Sequence, residues 1–286
     1  MSAYGLIELG GTKTLVAVGG SLDELTPTRI ETTGPEETLG SVVEFLAPHD
    51  LQAVGVATFG PLDLDRTSSS FGRILNTPKR EWAGYDLIGV LSSRLGVPVA
   101  VDTDVNAAAR AEMAWGALHG MRQAAYVTVG TGIGGGLVIG GEVLHGAPHP
   151  EIGHVMVEPR HDDVFEGTCV FHGGCLEGMA SGPAMASRFG APVERLGPAA
   201  VGYVLSLATH YLGQGLRDVV YAWAPEKVVV GGGLSKLKGF HEAVTAELTA
   251  QLNGYPTGQL ADGYVAPPGL GDLSGLAGAL LLAEDG

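Results

Sequence analysis

The sequence predicts an α/β protein built from two related halves, with a boundary near Gly120. Three observations carry that prediction. Short apolar strands alternate with helical stretches along the whole chain. The order strand, glycine turn, strand occurs near residue 10 and again near residue 130. At 286 residues, with 45% hydrophobic and 16% charged residues, the chain is well suited to packing and long for a single core.

Element by element, Tyr4–Leu9 reads as a strand, Gly10 to Thr14 as a turn and Leu15–Val18 as a returning strand. Glu36–Leu46 has helical spacing, Leu51–Thr58 alternates as a strand, and Gly60-Pro61-Leu62-Asp63 is a loop. Leu87–Leu95 is helical, Val97–Val101 is a buried strand ending at Asp102, and the alanine-rich Asn106–Ala117 is a helix. The same grammar then returns. Ala124–Val129 is a strand, Gly130–Gly136 a glycine loop, Leu137–Ile139 a strand and Gly140-Gly141-Glu142 a hairpin turn. Ala199–Ala222 is helical, Lys227–Val230 is a strand entering Gly231 to Lys236, and Phe240–Leu252 is a helix. The apolar tract Leu273 to Ala283 is too short to span a bilayer and reads as a buried helix.

Charge narrows the function. With 31 acids against 16 bases the formal charge is −15, and no basic run exists, so a nucleic-acid partner would be repelled. The first residues lack a basic n-region, so no signal peptide is expected. Two cysteines cannot build a disulfide framework, which points to a reducing compartment, the cytoplasm.

Three glycine turns, at residues 10–14, 130–136 and 231–236, each follow an apolar strand. Glycine there lets backbone N–H groups crowd round phosphate oxygens, and Thr or Lys adds donors. No Walker G-x-x-x-x-G-K-[ST] pattern is present. Gly130, Gly132 and Gly135 match G-x-G-x-x-G, but the match leads into a hairpin rather than a helix, which argues against a dinucleotide fold.

Asp102 and Asn106 sit where a strand meets a helix, where N-caps are ordinary. Asp104 is more telling: a carboxylate at the carboxyl end of a strand, at the mouth of an α/β sheet, can take a proton from a sugar hydroxyl. Glu8, inside an apolar strand, needs a partner, either a metal-bound water or Lys13. Glu151 and Glu177 flank glycine turns near a third feature, the cassette Cys169-Val-Phe-His172-Gly-Gly-Cys175. It holds both cysteines, and His145, His149, His154 and His161 lie just upstream. Thiolates and imidazoles at this spacing suit Zn²⁺, with His154 or His161 as the fourth ligand. Four protein ligands would close the site and make it structural.

Glu8-Leu-Gly-Gly-Thr-Lys13, Asp102-Thr-Asp-Val-Asn106, Thr128 to Gly136, Pro150-Glu-Ile-Gly-His154 and Cys169 to Glu177 occur in that order. Together they closely resemble the ROK family of sugar kinases, and the similarity runs essentially end to end. Within the family the chain looks most like the bacterial fructokinases, on its Cys-x-x-His-x-x-Cys cassette, Leu176 to Pro183 and Asn76-Thr-Pro-Lys-Arg-Glu-Trp82. The resemblance implies a two-domain actin-like, hexokinase-like ATPase fold of duplicated RNase H-like domains with a zinc-binding loop. The domains would span 1–119 and 120–286, with the last helix packing back on the first. It further implies that Gly10, Gly11, Thr12, Lys13, Thr14, Gly130, Thr131 and Gly132 hold the ATP phosphates. Pro183, Gly232, Gly233, Leu234, Ser235 and Lys236 would lie along the adenosine. Asp104 would be the catalytic base, and Thr103, Asp104, Glu151, His154 and Glu177 would contact the sugar. His154, Cys169, His172 and Cys175 would hold zinc, which selects His154 over His161.

Two departures from the family pattern matter. Glu8 stands where many members have Asp, as it often does in the fructokinase-like branch. Thr103 stands where many glucose or aminosugar kinases have Asn, which favours fructose. The expected reaction is Mg²⁺-dependent transfer from ATP to O6 of fructose by a homodimer with no membrane or nucleic-acid partner. Rivals are a kinase for glucose or mannose, a metal-free structural module, and a sugar-responsive regulator. Such regulators carry an N-terminal helix-turn-helix, whereas the first strand here is expected near Tyr4.

Overall fold

A computed structural model of the chain describes residues 3–147, 149–255 and 260–286. The first half forms β1 (Tyr4–Leu9), β2 (Lys13–Gly19), β3 (Thr28–Glu31), α1 (Pro35–Leu46), β4 (Val54–Thr58), α2 (Leu87–Leu95), β5 (Val99–Thr103) and α3 (Asp104–Trp115). The second forms β6 (Gln123–Val129), β7 (Ile133–Ile139), β8 (Glu142–Val143), α4 (Leu176–Ala180), α5 (Gly182–Phe189), α6 (Pro198–Trp223), β9 (Lys227–Gly231), α7 (Phe240–Leu252), β10 (Val265–Ala266) and α8 (Ser274–Asp285). No helix among the described residues is long and apolar enough to cross a membrane.

The duplication is plain in the strand order. One sheet runs β3-β2-β1-β4-β5 and the other β10-β9-β6-β7-β8. Counted within each half, both read third, second, first, fourth, fifth. In both, the first two strands are an antiparallel hairpin and the fourth pairs parallel to the first. The two hairpin turns are the first two glycine loops. The parallel strands β4 and β9 have continuous apolar interiors, broken only by Thr58 and Lys227 at their ends, because helices cover both faces of their sheets.

Several boundaries differ from the sequence reading. Gly134, Gly135 and Gly136 lie inside β7 and not in the preceding loop. Their small size serves packing: a side chain at Gly136 would come within 2.4 Å of Val105 O on α3. Helix α3 starts at Asp104, and its cap is the Thr103 hydroxyl, which accepts from Asn106 N at 3.2 Å; neither Asp102 nor Asn106 caps it. The short β3, α4 and α5 carry too little periodicity to be read from sequence.

Helix α8 packs against β1, β4 and α3 rather than its own half's sheet. The approach needs bare backbone, since a Cβ at Gly55 would fall 1.8 Å from Ala279 O and one at Gly278 2.1 Å from Ala107 O. Glu112, wholly buried on α3, fixes the entry to α8. Its carboxylate accepts from Ala117 N, Gly269 N, Leu270 N and Ser274 Oγ at 2.7–3.0 Å. Truncating it to Ala would orphan the buried Ser274 hydroxyl and three part-buried backbone N–H groups, so Glu112→Ala should cost about 3 kcal/mol in denaturant unfolding. A loss near zero would show that water replaces the carboxylate.

Candidate active site

The cleft is built where strand ends deliver loops. The tips of the two glycine hairpins meet, with Thr12 Oγ1 3.4 Å from Thr131 Oγ1. The second hairpin is braced from α5, as Gly182 N donates to Gly130 O at 2.8 Å, which brings the exposed Pro183 beside it. The third glycine loop turns at Gly232, with φ +90°, where a Cβ would strike the Val129 backbone at 2.5 Å. Gly233 and Lys236 are exposed there, and Lys236 Nζ pairs with Asp272 at 2.7 Å. Leu234 and Ser235 are buried, and Ser235 Oγ donates to Gly232 O, so these two shape the turn.

Not every residue of these loops is free to meet a ligand. Thr14 is fully buried and its hydroxyl is 2.8 Å from Thr32 Oγ1, so the expectation that it reaches phosphate needs correcting. Alternation along β2 turns its side chain into the sheet's covered face. Gly10 N is likewise spent on Lys13 O. Gly11, Thr12 and Lys13 remain open to the cleft.

Asp104 sits at the N-terminus of α3, where Val105 N donates to its Oδ1 at 2.9 Å. Burial raises its pKa to about 6, with the Asp102 charge adding to the rise and backbone N–H groups opposing it. Asp102 forms the floor. Its Oδ1 accepts from Thr103 N at 2.7 Å and Asn106 Nδ2 at 2.8 Å, and its Oδ2 lies 2.8 Å from His145 Nε2. Thr103 is buried as the helix cap. Glu8 on β1 is buried among acids. Desolvation and the neighbouring Asp104 push its pKa to about 7, and Lys13 pulls it down. Its Oε2 has no hydrogen-bond partner, an orphaned buried oxygen that suits a cation or a cation-bound water.

Glu151 and Glu177 join Asp104. Burial and the charges of Glu177 and Asp104 raise the Glu151 pKa, a rise softened because its side chain is still 39% exposed. Glu177 Oε2 accepts from Ile133 N at 2.9 Å, so α4 is tied directly to the second glycine hairpin. This one hydrogen bond thus links the second glycine hairpin to the helix that follows the cysteine cassette.

The cassette closes as a cluster. One atom each of His154, Cys169, His172 and Cys175 lie within 4.8 Å of one another. His154 Nδ1 is 3.7 Å from Cys169 Sγ and 3.5 Å from Cys175 Sγ, and His172 Nδ1 is 3.7 Å from Cys169 Sγ. Both thiols are free. Such spacing round one point, with two soft and two borderline donors, fits a tetrahedral metal. His154 turns Nδ1 to the thiols, which leaves Nε2 for another partner. The other histidines of the stretch lie elsewhere. His145 pairs with Asp102, and His149 Nε2 accepts from Leu62 N at 3.1 Å. His161 is exposed and outside the cluster. Spacing along the chain groups these histidines; the resemblance selects His154 and His172, and the fold places the other three away from the thiols. The signal that could have marked His145 was weak, since its partner Asp102 is 43 residues away.

Two duplicated α/β sheets, with paired glycine hairpins facing one cleft and a carboxylate at its base, define the hexokinase-like ATPase fold. The chain belongs to the ROK family, whose sequence model matches residues 4–286. It is 41% identical to a fructokinase of Zymomonas mobilis subsp. mobilis, over 98% of this chain and 96% of that one. A glucokinase of Streptomyces coelicolor is 30% identical over 98% of this chain and 96% of that protein. Among solved structures, a ROK glucokinase from Streptomyces griseus in complex with glucose and AMPPNP superposes with a TM-score of 0.81, at 26% identity, over all of both chains.

Proposed function

We propose that the chain is an ATP-dependent fructokinase that phosphorylates O6. The observation that carries the reading is the convergence of Asp104, Glu151 and Glu177 beside the touching glycine hairpins. Asp104 takes the proton of the attacking hydroxyl as that oxygen bonds the γ-phosphorus and ADP leaves. Gly11, Thr12, Lys13, Gly130, Thr131 and Gly132 bind the phosphates; Pro183 and the turn at Gly232 to Lys236 flank the nucleoside. Glu151, His154 and Glu177 orient the sugar, with Thr103 shaping its floor. When bound, Mg²⁺ would supply charge neutralisation on the phosphates; the Glu8 carboxylate would hold it or its water, and Lys13 would add a second positive charge to the same phosphates. Zinc held by His154, Cys169, His172 and Cys175 is structural.

Fructose is favoured over glucose by the higher identity to a fructokinase and by Thr103, which offers no amide to a sugar hydroxyl. The reading also takes 1–119 and 120–286 as domains that close on the ligands, and the protein as a cytoplasmic homodimer. A coupled assay with ATP across fructose, glucose, mannose and their N-acetyl amines tests it. Fructose should give the highest kcat/KM. A preference for glucose or mannose would reassign the sugar, and no turnover with any of them would remove the kinase reading.

A further inference from the structure

We propose that Lys79 is a further phosphate-directed residue, whose ammonium closes over the first glycine hairpin and faces the terminal phosphates of ATP. This rests on the kinase reading above. Lys79 lies on the segment that returns from the cleft towards α2, far in sequence from every glycine loop. Three observations bring it to the site.

The first is its mooring. Trp82, three residues on, is buried and donates Nε1 to Thr33 O at 2.9 Å. Its ring packs edge-on against Phe59 and Tyr85. Thr32, next to Thr33, donates its N–H to Thr12 O. The segment is thereby anchored on the same strand end that holds the hairpin tip.

The second is its reach. A side-chain carbon built at Gly11 would lie 3.6 Å from Lys79 Cε and 3.5 Å from Thr131 Cγ2. Lys79, Gly11 and Thr131 therefore meet where the two hairpins face each other. A lysine that merely solvated the surface would extend away from the cleft, as the exposed Arg80 is free to do.

The third is charge. Glu8, Asp104, Glu151 and Glu177 make the cleft acidic, so a polyphosphate needs cations there. Lys236 is paired with Asp272, and Lys13 is drawn to Glu8. Lys79 is half-buried and makes no ion pair among the described residues. As an ammonium free of any such pair, it joins Lys13 at the phosphates. As the hydroxyl oxygen bonds the γ-phosphorus and its proton passes to Asp104, the bond to the β-phosphate oxygen breaks and its electron pair leaves with ADP. Negative charge shifts onto the oxygens that Lys79 faces.

The test uses the full chain with Lys79→Met and Lys79→Arg. With fructose and ATP, Lys79→Met should lower kcat on the order of 10²–10³-fold, with fructose KM and thermal midpoint little changed. Lys79→Arg should recover at least part of that loss. Calorimetry without sugar gives an independent arm: Lys79→Met should weaken Mg-ATP by about 10–100-fold and leave AMP unchanged. Equal weakening of ATP and AMP, or kcat within a few-fold of wild type, would overturn the assignment. If the wild type phosphorylates no hexose, the sugar reading fails, and the ATP-against-AMP comparison still decides Lys79.

Discussion

Asp104→Asn should cut fructose turnover by about 10²–10⁴-fold while leaving fructose binding within a few-fold of wild type. The amide keeps the shape of the carboxylate and its contact with Val105 N, so binding geometry survives. What it lacks is a basic oxygen for the O6 proton. Because the base must be ionised, kcat/KM of the wild type should fall as pH drops through about 6, the pKa that burial gives this carboxyl. The same shift has a stability consequence of definite sign. A carboxyl whose folded pKa is raised stabilises the fold at low pH, where it is protonated in both states. That contribution is lost as pH rises through about 6. Asp104→Asn removes a buried charge at pH 7.5, so its melting temperature there should exceed the wild type's, and the gain should vanish near pH 4. Turnover within a few-fold of wild type would take Asp104 out of the role of base.

Loss of a cassette thiolate has the second large effect. Purified protein should carry about one zinc per chain by elemental analysis, and Cys175→Ser should abolish it. Removing groups that merely support a metal ligand costs 10–100-fold in affinity, and losing a ligand should cost more than ~100-fold. The effect should spread to the sugar. His154 is within reach of both thiols, and Glu177 lies in the first turn of α4, which starts just after Cys175. Fructose KM should therefore rise by an order of magnitude or so, and the melting temperature should fall. His161→Ala, outside the cluster, should change neither. Wild type without zinc, or Cys175→Ser with full activity, would refute the clasp.

Much of the architecture was legible because it repeats. Strand, glycine turn, strand is a strong local signal, and its second occurrence at residue 130 anticipated two sheets of one order. Helices α1, α2, α6 and α7 followed from periodicity, and α7 is bounded at Phe240 and Leu252 in both readings. The extent of the second glycine loop was misjudged because glycine serves two ends. Gly130 and Gly132 turn the chain, whereas Gly134 to Gly136 let α3 approach β7. Composition cannot distinguish a turn from a close contact.

The amino-acid sequence by itself determined the repeated α/β grammar, the residue types of the cysteine cassette and the candidate base at a strand end. These are local, since each depends on neighbours within a few residues. Tertiary structure decided that His145 pairs with Asp102 and His149 with Leu62, that Thr14 turns inward, and that Glu112 locks α8 onto the first half. It also brought Lys79 to Gly11. Those pairings join residues tens to more than a hundred positions apart. Their energy comes from burial and from satisfying buried polar groups once the chain has folded, and no local pattern carries that information.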